Sequence, residues 1–195
     1  MEVLIAMVPS TPMLFLVRHA HSDYSPDEMR GLSESGRRAA QRVADLLEDQ
    51  RIAMIVSSPY TRAIQTVQPL ADRVGVSIRV DPDLRERHLS AGPLDDFRRS
   101  LEATWRDFDL AYPGGESSVS AQVRVSQTIR RVVAAAGDCN VVVASHGNAL
   151  ALFLRTLDSQ VDFGFWQKMS LPDVFAVEPQ GEMPWSFRRV WRDAD

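Results

Sequence analysis

The chain has 195 residues, 45% of them hydrophobic and 25% charged, with a net charge of −4. This is long enough for one domain with a sizeable core, has the composition of a folded globular protein rather than a disordered or fibrous one, and is too acidic for a non-specific nucleic-acid binder. Of the 22 basic residues only Lys168 is lysine, so positive charge comes from guanidinium forks, which grip phosphate and carboxylate oxygens in two places at once.

Residues 1–9 are mildly apolar but carry no basic leader and no clear cleavage site. No run approaches the ~20 apolar residues of a membrane span. Residues 1–12 are therefore read as a short extension on a single cytoplasmic domain covering 1–195, with Met13 as an alternative start and no membrane partner. Residues 14–17 form an apolar run of central-strand length. Ser33 is placed to cap a helix whose buried face holds Ala39, Ala40, Val43, Leu46 and Leu47. Residues 54–56 read as a second buried strand. Ser57, Ser58 and Pro59 end it and cap the next helix, which carries Arg62 in its first turn and stops near Gly75. Residues 78–80 read as a third strand.

The stretch 81–115 is less regular, with a helix expected over 97–108. Residues 113–117 form a turn, after which Ser117 or Ser118 caps a helix to about residue 136; its expected apolar stripe is Val119, Val123, Ile129, Val132 and Val133. The single cysteine, Cys139, excludes an internal disulfide and is expected to be buried or half-buried. Residues 140–144 are the clearest strand. Gly147 and Asn148 turn it into a helix over about 149–157, and residues 174–177 and 187–191 read as two late edge strands. Strands alternate with helices, so the expected class is α/β: a three-layer sandwich with a mostly parallel central sheet and helices on both faces. Trp166, Trp185 and Trp191 belong either to the core or to an interface, which leaves a homodimer open.

All four histidines fall in three short segments, at His19 and His21, at His88, and at His146. His19 and His146 each follow an apolar run of strand length, where open α/β sheets build their sites. Phosphoryl transfer needs a nucleophile, cations aimed at the equatorial oxygens, and an acid for the leaving oxygen. His19 can be the nucleophile, because neutral imidazole is abundant near pH 7. Arg18 precedes it; Arg62 lies at a helix N-terminus, which already favours an anion. His146 is followed by Gly147, which permits close backbone approach, and Glu86 is the carboxyl candidate. The alternatives are bland: a salt bridge for Glu86, a surface role for Arg62, a rim role for His21 and His88, and solvation for Arg30, Arg85 and Arg87. A metal pair at His19 and His21, taken as sharing a strand face, lacks an obvious third and fourth ligand, so no metal is expected.

These residues carry a family resemblance. Leu16-Val17-Arg18-His19-Ala20 resembles the Arg-His-Gly signature of the histidine phosphatase superfamily, the phosphoglycerate mutase-like fold. Ser57 to Thr66 is similar to its second arginine segment, Leu84-Arg85-Glu86 to its Leu-x-Glu acid motif, Pro113 to Ser117 to its Pro-x-Gly-Glu-Ser turn, and Ser145-His146-Gly147-Asn148 to its second histidine motif. The resemblance implies a phosphohistidine on His19, with Arg18, Arg62 and His146 on the phosphoryl oxygens and Gly147 and Asn148 nearby. Glu86 would protonate the leaving oxygen and then activate water, without a metal cofactor. His21, Ser22, Ser25, Arg30, Arg87 and His88 are further substrate-contact candidates, and 87–115 is the variable cap segment.

The chain departs from the mutases at Ala20, at Ser25 (usually asparagine), at Leu89-Ser90 (usually Tyr-Gly), and in the shorter span from Glu86 to His146. A mutase must keep phosphohistidine from water. The expectation is therefore a phosphatase of a small phosphomonoester, with inorganic phosphate as product ligand. A phosphoglycerate mutase that needs 2,3-bisphosphoglycerate is the alternative, and a non-catalytic or phosphoprotein-directed regulatory member is the second.

Overall fold

The computed structural model describes residues 12–192 apart from 26, 28, 180 and 182. Most of the expected N-terminal extension lies outside the described residues. Six strands make one sheet: β1 (Leu14–Arg18), β2 (Ile52–Ser57), β3 (Ile78–Val80), β4 (Asn140–Ser145), β5 (Asp173–Glu178) and β6 (Ser186–Arg189), in the order β3-β2-β4-β1-β5-β6. β1, β2, β3 and β4 run parallel; β5 lies antiparallel to β1, and β6 antiparallel to β5.

Alternation along the strands builds two cores. Leu14, Leu16, Val141, Val143, Phe175 and Val177 face one side. Phe15, Val17, Val142, Ala144, Val174 and Ala176 face the other. The first side is covered by α4 (Ser118–Ala136) and α5 (Gly147–Arg155), with α3 (Phe97–Arg106) against them; the second by α1 (Glu34–Leu47) and α2 (Thr61–Val74). A short α6 (Phe163–Lys168) lies between α5 and β5. This is the expected three-layer α/β sandwich. No described helix is long and apolar enough to cross a membrane.

Several local expectations change. β5 is not an edge: it is paired on both sides and buried over Asp173 to Val177, leaving β6 as the edge. Val119 and Val123 of α4 are 39% and 48% exposed; the buried stripe is Ala121, Val125, Ile129 and Val132. Ser58 does not cap α2, whose N-cap is Tyr60 without a side-chain bond, and Cys139 is exposed. Ser33 and Ser117 cap α1 and α4, accepting from the N–H groups of Gly36 and Ser120.

Candidate active site

The carboxyl ends of β1, β2 and β4 meet at one place. β1 and β4 pair Arg18 with Ser145, so the next residues, His19 and His146, leave the sheet side by side, their rings 5.2 Å apart. The backbone N–H of His19 donates to the Ser145 carbonyl at 3.0 Å, fixing the turn out of β1. β2 delivers Ser58, and α2 then brings Arg62 over both rings.

Hydrogen bonds assign the histidine protons. His19 Nδ1 lies 2.7 Å from the Ala20 carbonyl and must donate to it, since a carbonyl only accepts. That leaves a lone pair on Nε2, which accepts from Arg62 Nε at 3.3 Å. His146 Nδ1 faces Arg62 Nη2 at 3.4 Å, so its Nε2–H donates to Ser58 Oγ at 2.7 Å. One guanidinium thus bridges two neutral imidazoles. Burial pushes His19 down to about 3, with Arg62 and Arg18 acting in the same direction and the bond to Ala20 opposing. Burial also lowers His146 well below the usual histidine value, aided by His19 and the nearby arginines. Protonating either ring would add a cation to a buried cationic cluster.

Arg62 is only 5% exposed and lies 4.6 Å over the Tyr60 ring; Tyr60 also meets His146 edge-on at 5.0 Å. Thr66 donates to the Arg62 carbonyl and accepts from the Ala20 N–H, tying α2 to the turn after β1. Arg18 donates through Nη1 to the Met169 carbonyl at 2.8 Å. Burial lowers its guanidinium, with Glu86 and Asp173 opposing, but an arginine remains cationic.

Glu86 sits at the N-terminus of α5. Its Oε1 accepts from the backbone N–H groups of Arg87 and Ala149, both at 2.9 Å, and Oε2 from that of Asn148 at 3.1 Å. A carboxylate oxygen has two acceptor positions, so Oε2 keeps one available towards the cavity. The loop carrying Glu86 is clamped from behind. Arg124 pairs with Glu116 at 2.6 Å and donates to the carbonyls of Asp83 and Arg85. The Glu116 N–H donates to the His88 carbonyl. Gly115 lies so close to the Leu89 carbonyl that no side chain fits there.

A cavity of about 890 Å³ opens beside these groups, lined among others by Tyr60, Arg62, Glu86, Arg87, Asn148 and Trp166, while Arg18, His19 and His146 are not among its lining residues. Ser25, Arg30 and His88 also line it. Ser22 does not; its hydroxyl accepts from Arg30 Nε at 3.3 Å. Gly147 packs under Arg18 and Trp166. The Asn148 side chain is engaged by the Trp105 indole at 2.9 Å. His21 is not brought in: β1 ends at Arg18, so the two histidines share no strand face, and the His21 ring bonds Ser33 Oγ at 2.8 Å. Among the described residues no group of three or more His, Cys, Asp or Glu side chains is arranged around a metal position. Ser58, Tyr60 and Trp166 are not expected at the site from the sequence, which reads Ser58 as a helix cap and Trp166 as core or interface. The first two lie in the segment that carries Arg62; Trp166 has no sequence motif around it.

The family model of the histidine phosphatase superfamily (branch 1) matches residues 14–182. The chain is 33% identical over 165 residues to a glucosyl-3-phosphoglycerate phosphatase of Mycobacterium tuberculosis, covering 74% of each chain. It is 29% identical over 160 residues to a probable phosphoglycerate mutase of Proteus mirabilis, again 74% of each. Among solved structures, a mycobacterial glucosyl-3-phosphoglycerate phosphatase complexed with VO3 superposes with a TM-score of 0.74 at 26% identity, over 94% of this chain and 100% of that one.

Proposed function

The chain belongs to the histidine phosphatase superfamily, and from that premise we propose that it hydrolyses a small phosphomonoester through a phosphohistidine on His19, with Glu86 as proton donor. The observation that carries this reading is the Arg62 guanidinium donating at once to His19 Nε2 and His146 Nδ1, beside Arg18 and the carboxyl group of Glu86, which enters the reaction as the acid.

His19 Nε2 is the nucleophile, its lone pair aimed by the Nδ1–H bond to Ala20. It attacks phosphorus while the bond to the leaving oxygen breaks. Glu86 Oε2 delivers a proton to that oxygen. Arg18 and Arg62 give N–H groups to the equatorial oxygens, and His146 joins them when Ser58 Oγ–H donates to its Nε2 and the ring proton moves to Nδ1, so fixed cations and dipoles meet the spreading negative charge. Water then attacks phosphorus, the N–P bond breaks, Glu86 takes the proton of the water, and inorganic phosphate leaves. The arginines supply the charge that a metal ion supplies in other phosphoryl transferases, and no cofactor enters either step.

Arg87 points to the kind of alcohol released. Arg87 is 5% exposed and lines the cavity. Nη1 donates to Ser118 Oγ at 2.6 Å, while among the described residues Nε and Nη2 have no partner. A buried cation with two guanidinium nitrogens that lack hydrogen-bond partners suits an anionic substituent such as a carboxylate. A phosphorylated hydroxy acid related to the substrate named for the mycobacterial relatives fits this arrangement. The cavity has the size of a small-molecule site, and residues 87–115 form its cap through Leu89, Pro93, Leu94, Phe97 and Leu101.

The mutase reading has one observation behind it, the likeness to probable phosphoglycerate mutases. It would need 2,3-bisphosphoglycerate and a shielded phosphohistidine. The exposed Tyr24 and Phe97 at the cavity wall favour access of water instead. The test is a panel of phosphomonoesters with EDTA, including phosphoglycerates with and without the bisphosphate. Net phosphate release by the wild type, lost in His19→Ala, is expected; interconversion of phosphoglycerates without release would establish the mutase instead.

A further inference from the structure

Trp166 on α6 faces the cavity shared by Arg62, Glu86 and Asn148. Its indole is stacked on Phe163, centroids 5.4 Å apart and planes 19° from parallel, which fixes the direction of its N–H. Among the described residues that Nε1 is shielded from solvent and has no hydrogen-bond partner, and the Nε of Arg18 is in the same condition. The indole of Trp105, by contrast, donates to Asn148 Oδ1, and that of Trp185 to the Gly181 carbonyl. The two unpartnered donors lie against the same residue, Gly147. A Cβ built on Gly147 would lie 2.9 Å from Trp166 Nε1 and 3.1 Å from Arg18 Nε. A side chain directly after His146 would press on both donors, so glycine lets them pack together there.

A buried N–H without an acceptor is costly, and it is rare in folded proteins. Two such groups beside one glycine, at the edge of a cationic pocket, match a ligand oxygen that accepts from both. We propose that Trp166 is a substrate-binding residue whose indole N–H joins the Nε–H of Arg18 on one non-bridging oxygen of the phosphoryl group. This rests on the phosphatase reading above. A neutral donor suits that position: it adds a directed bond without adding charge to a cluster that already holds Arg18 and Arg62.

The test uses orthovanadate as the probe. In the wild-type protein labelled with ¹⁵N, the indole N–H resonance of Trp166, assigned by its loss in Trp166→Phe, should move downfield as orthovanadate saturates. Trp166→Phe keeps an aromatic ring beside Phe163 and removes the donor. It should raise the Ki for orthovanadate and the KM for p-nitrophenyl phosphate roughly tenfold, the scale of one hydrogen bond to a charged acceptor. The thermal midpoint should stay put, and kcat should fall by less than about threefold. An indole resonance that ignores saturating vanadate would overturn the assignment, as would a variant with wild-type Ki and KM. A wild-type protein that neither hydrolyses phosphomonoesters nor binds vanadate would instead remove the phosphatase reading, and this inference with it.

Discussion

At the scale of single residues, the arrangement turns on one guanidinium and two imidazoles. Arg62→Lys keeps the charge but replaces a planar fork with a point charge, so the two donor directions that meet His19 and His146 are lost. The expected result is a fall in kcat/KM of about 100-fold or more, the scale seen when one oriented donor is removed from a charged transition state, with folding intact; a fall below threefold would mean that charge alone suffices. His19 is held down to about 3 by burial and by Arg62 and Arg18. Its ring should therefore remain neutral, with the proton on Nδ1, in ¹⁵N spectra at pH 5, whereas an ordinary histidine is almost wholly protonated there. A His19 titration near 6.5 would contradict the buried cluster. Arg18, His19, Arg62, Glu86 and His146 were legible from the sequence because each sits in a short motif at the end of a strand or the start of a helix. The spacing of His19 and His21 suggests a shared strand face, but β1 stops at Arg18 and His21 turns away to Ser33. Trp166 escaped because a lone aromatic six residues short of a buried strand carries no pattern, and only its unpartnered N–H against Gly147 gives it meaning.

Elements place these residues, and their own support is indirect. Glu86 lies in a loop, and its position depends on the Glu116–Arg124 pair behind it, whose side chains are 16% and 10% exposed. Glu116→Gln weakens that clamp without touching the cavity. Its expected effect is a kcat loss of about tenfold for esters with poor leaving groups and little change for p-nitrophenyl phosphate, because only the former need a well-placed acid. Equal loss for all leaving groups would argue that Glu116 serves stability alone. The same helix shows where pattern reading fails. Hydropathy selects the valines of α4, yet Val119 and Val123 face outwards, while Ala121, Ser126 and Thr128 are packed inside. Small and hydroxylated residues fit a close helix–sheet contact as well as valine does, and they are invisible to an apolar count. The late place of β5 in the chain suggests an edge, although its unbroken apolar run is what a strand covered on both faces requires. The six residues of α6 are too few to show a helical period.

For the whole molecule, the histidine pair links the site to stability. Both folded-state values are depressed, so the unfolded chain binds the extra protons. The stability contributed by His19 is complete above about pH 6.5 and is lost as the pH falls towards about 3. The slope for one such histidine is about 1.4 kcal/mol per pH unit. Urea denaturation between pH 6.5 and 4.5 should therefore show a shallower decline for His19→Gln than for the wild type; parallel curves would contradict the depressed value. The fold class was readable from the alternation of strands and helices, and the site from its five ordered motifs. The depth of the cluster is not readable there, because it arises from α2, α5 and the clamped Glu86 loop closing together over the carboxyl ends of β1, β2 and β4. The central claim is that His19 carries the phosphoryl group. Its most direct test is to mix the enzyme with a phosphomonoester, quench in base, and locate the modification by mass spectrometry. An acid-labile, base-stable addition of one phosphoryl group on His19, absent from His19→Ala, is the predicted result. Steady turnover with no such species on His19, or with the group on another residue, would contradict the account.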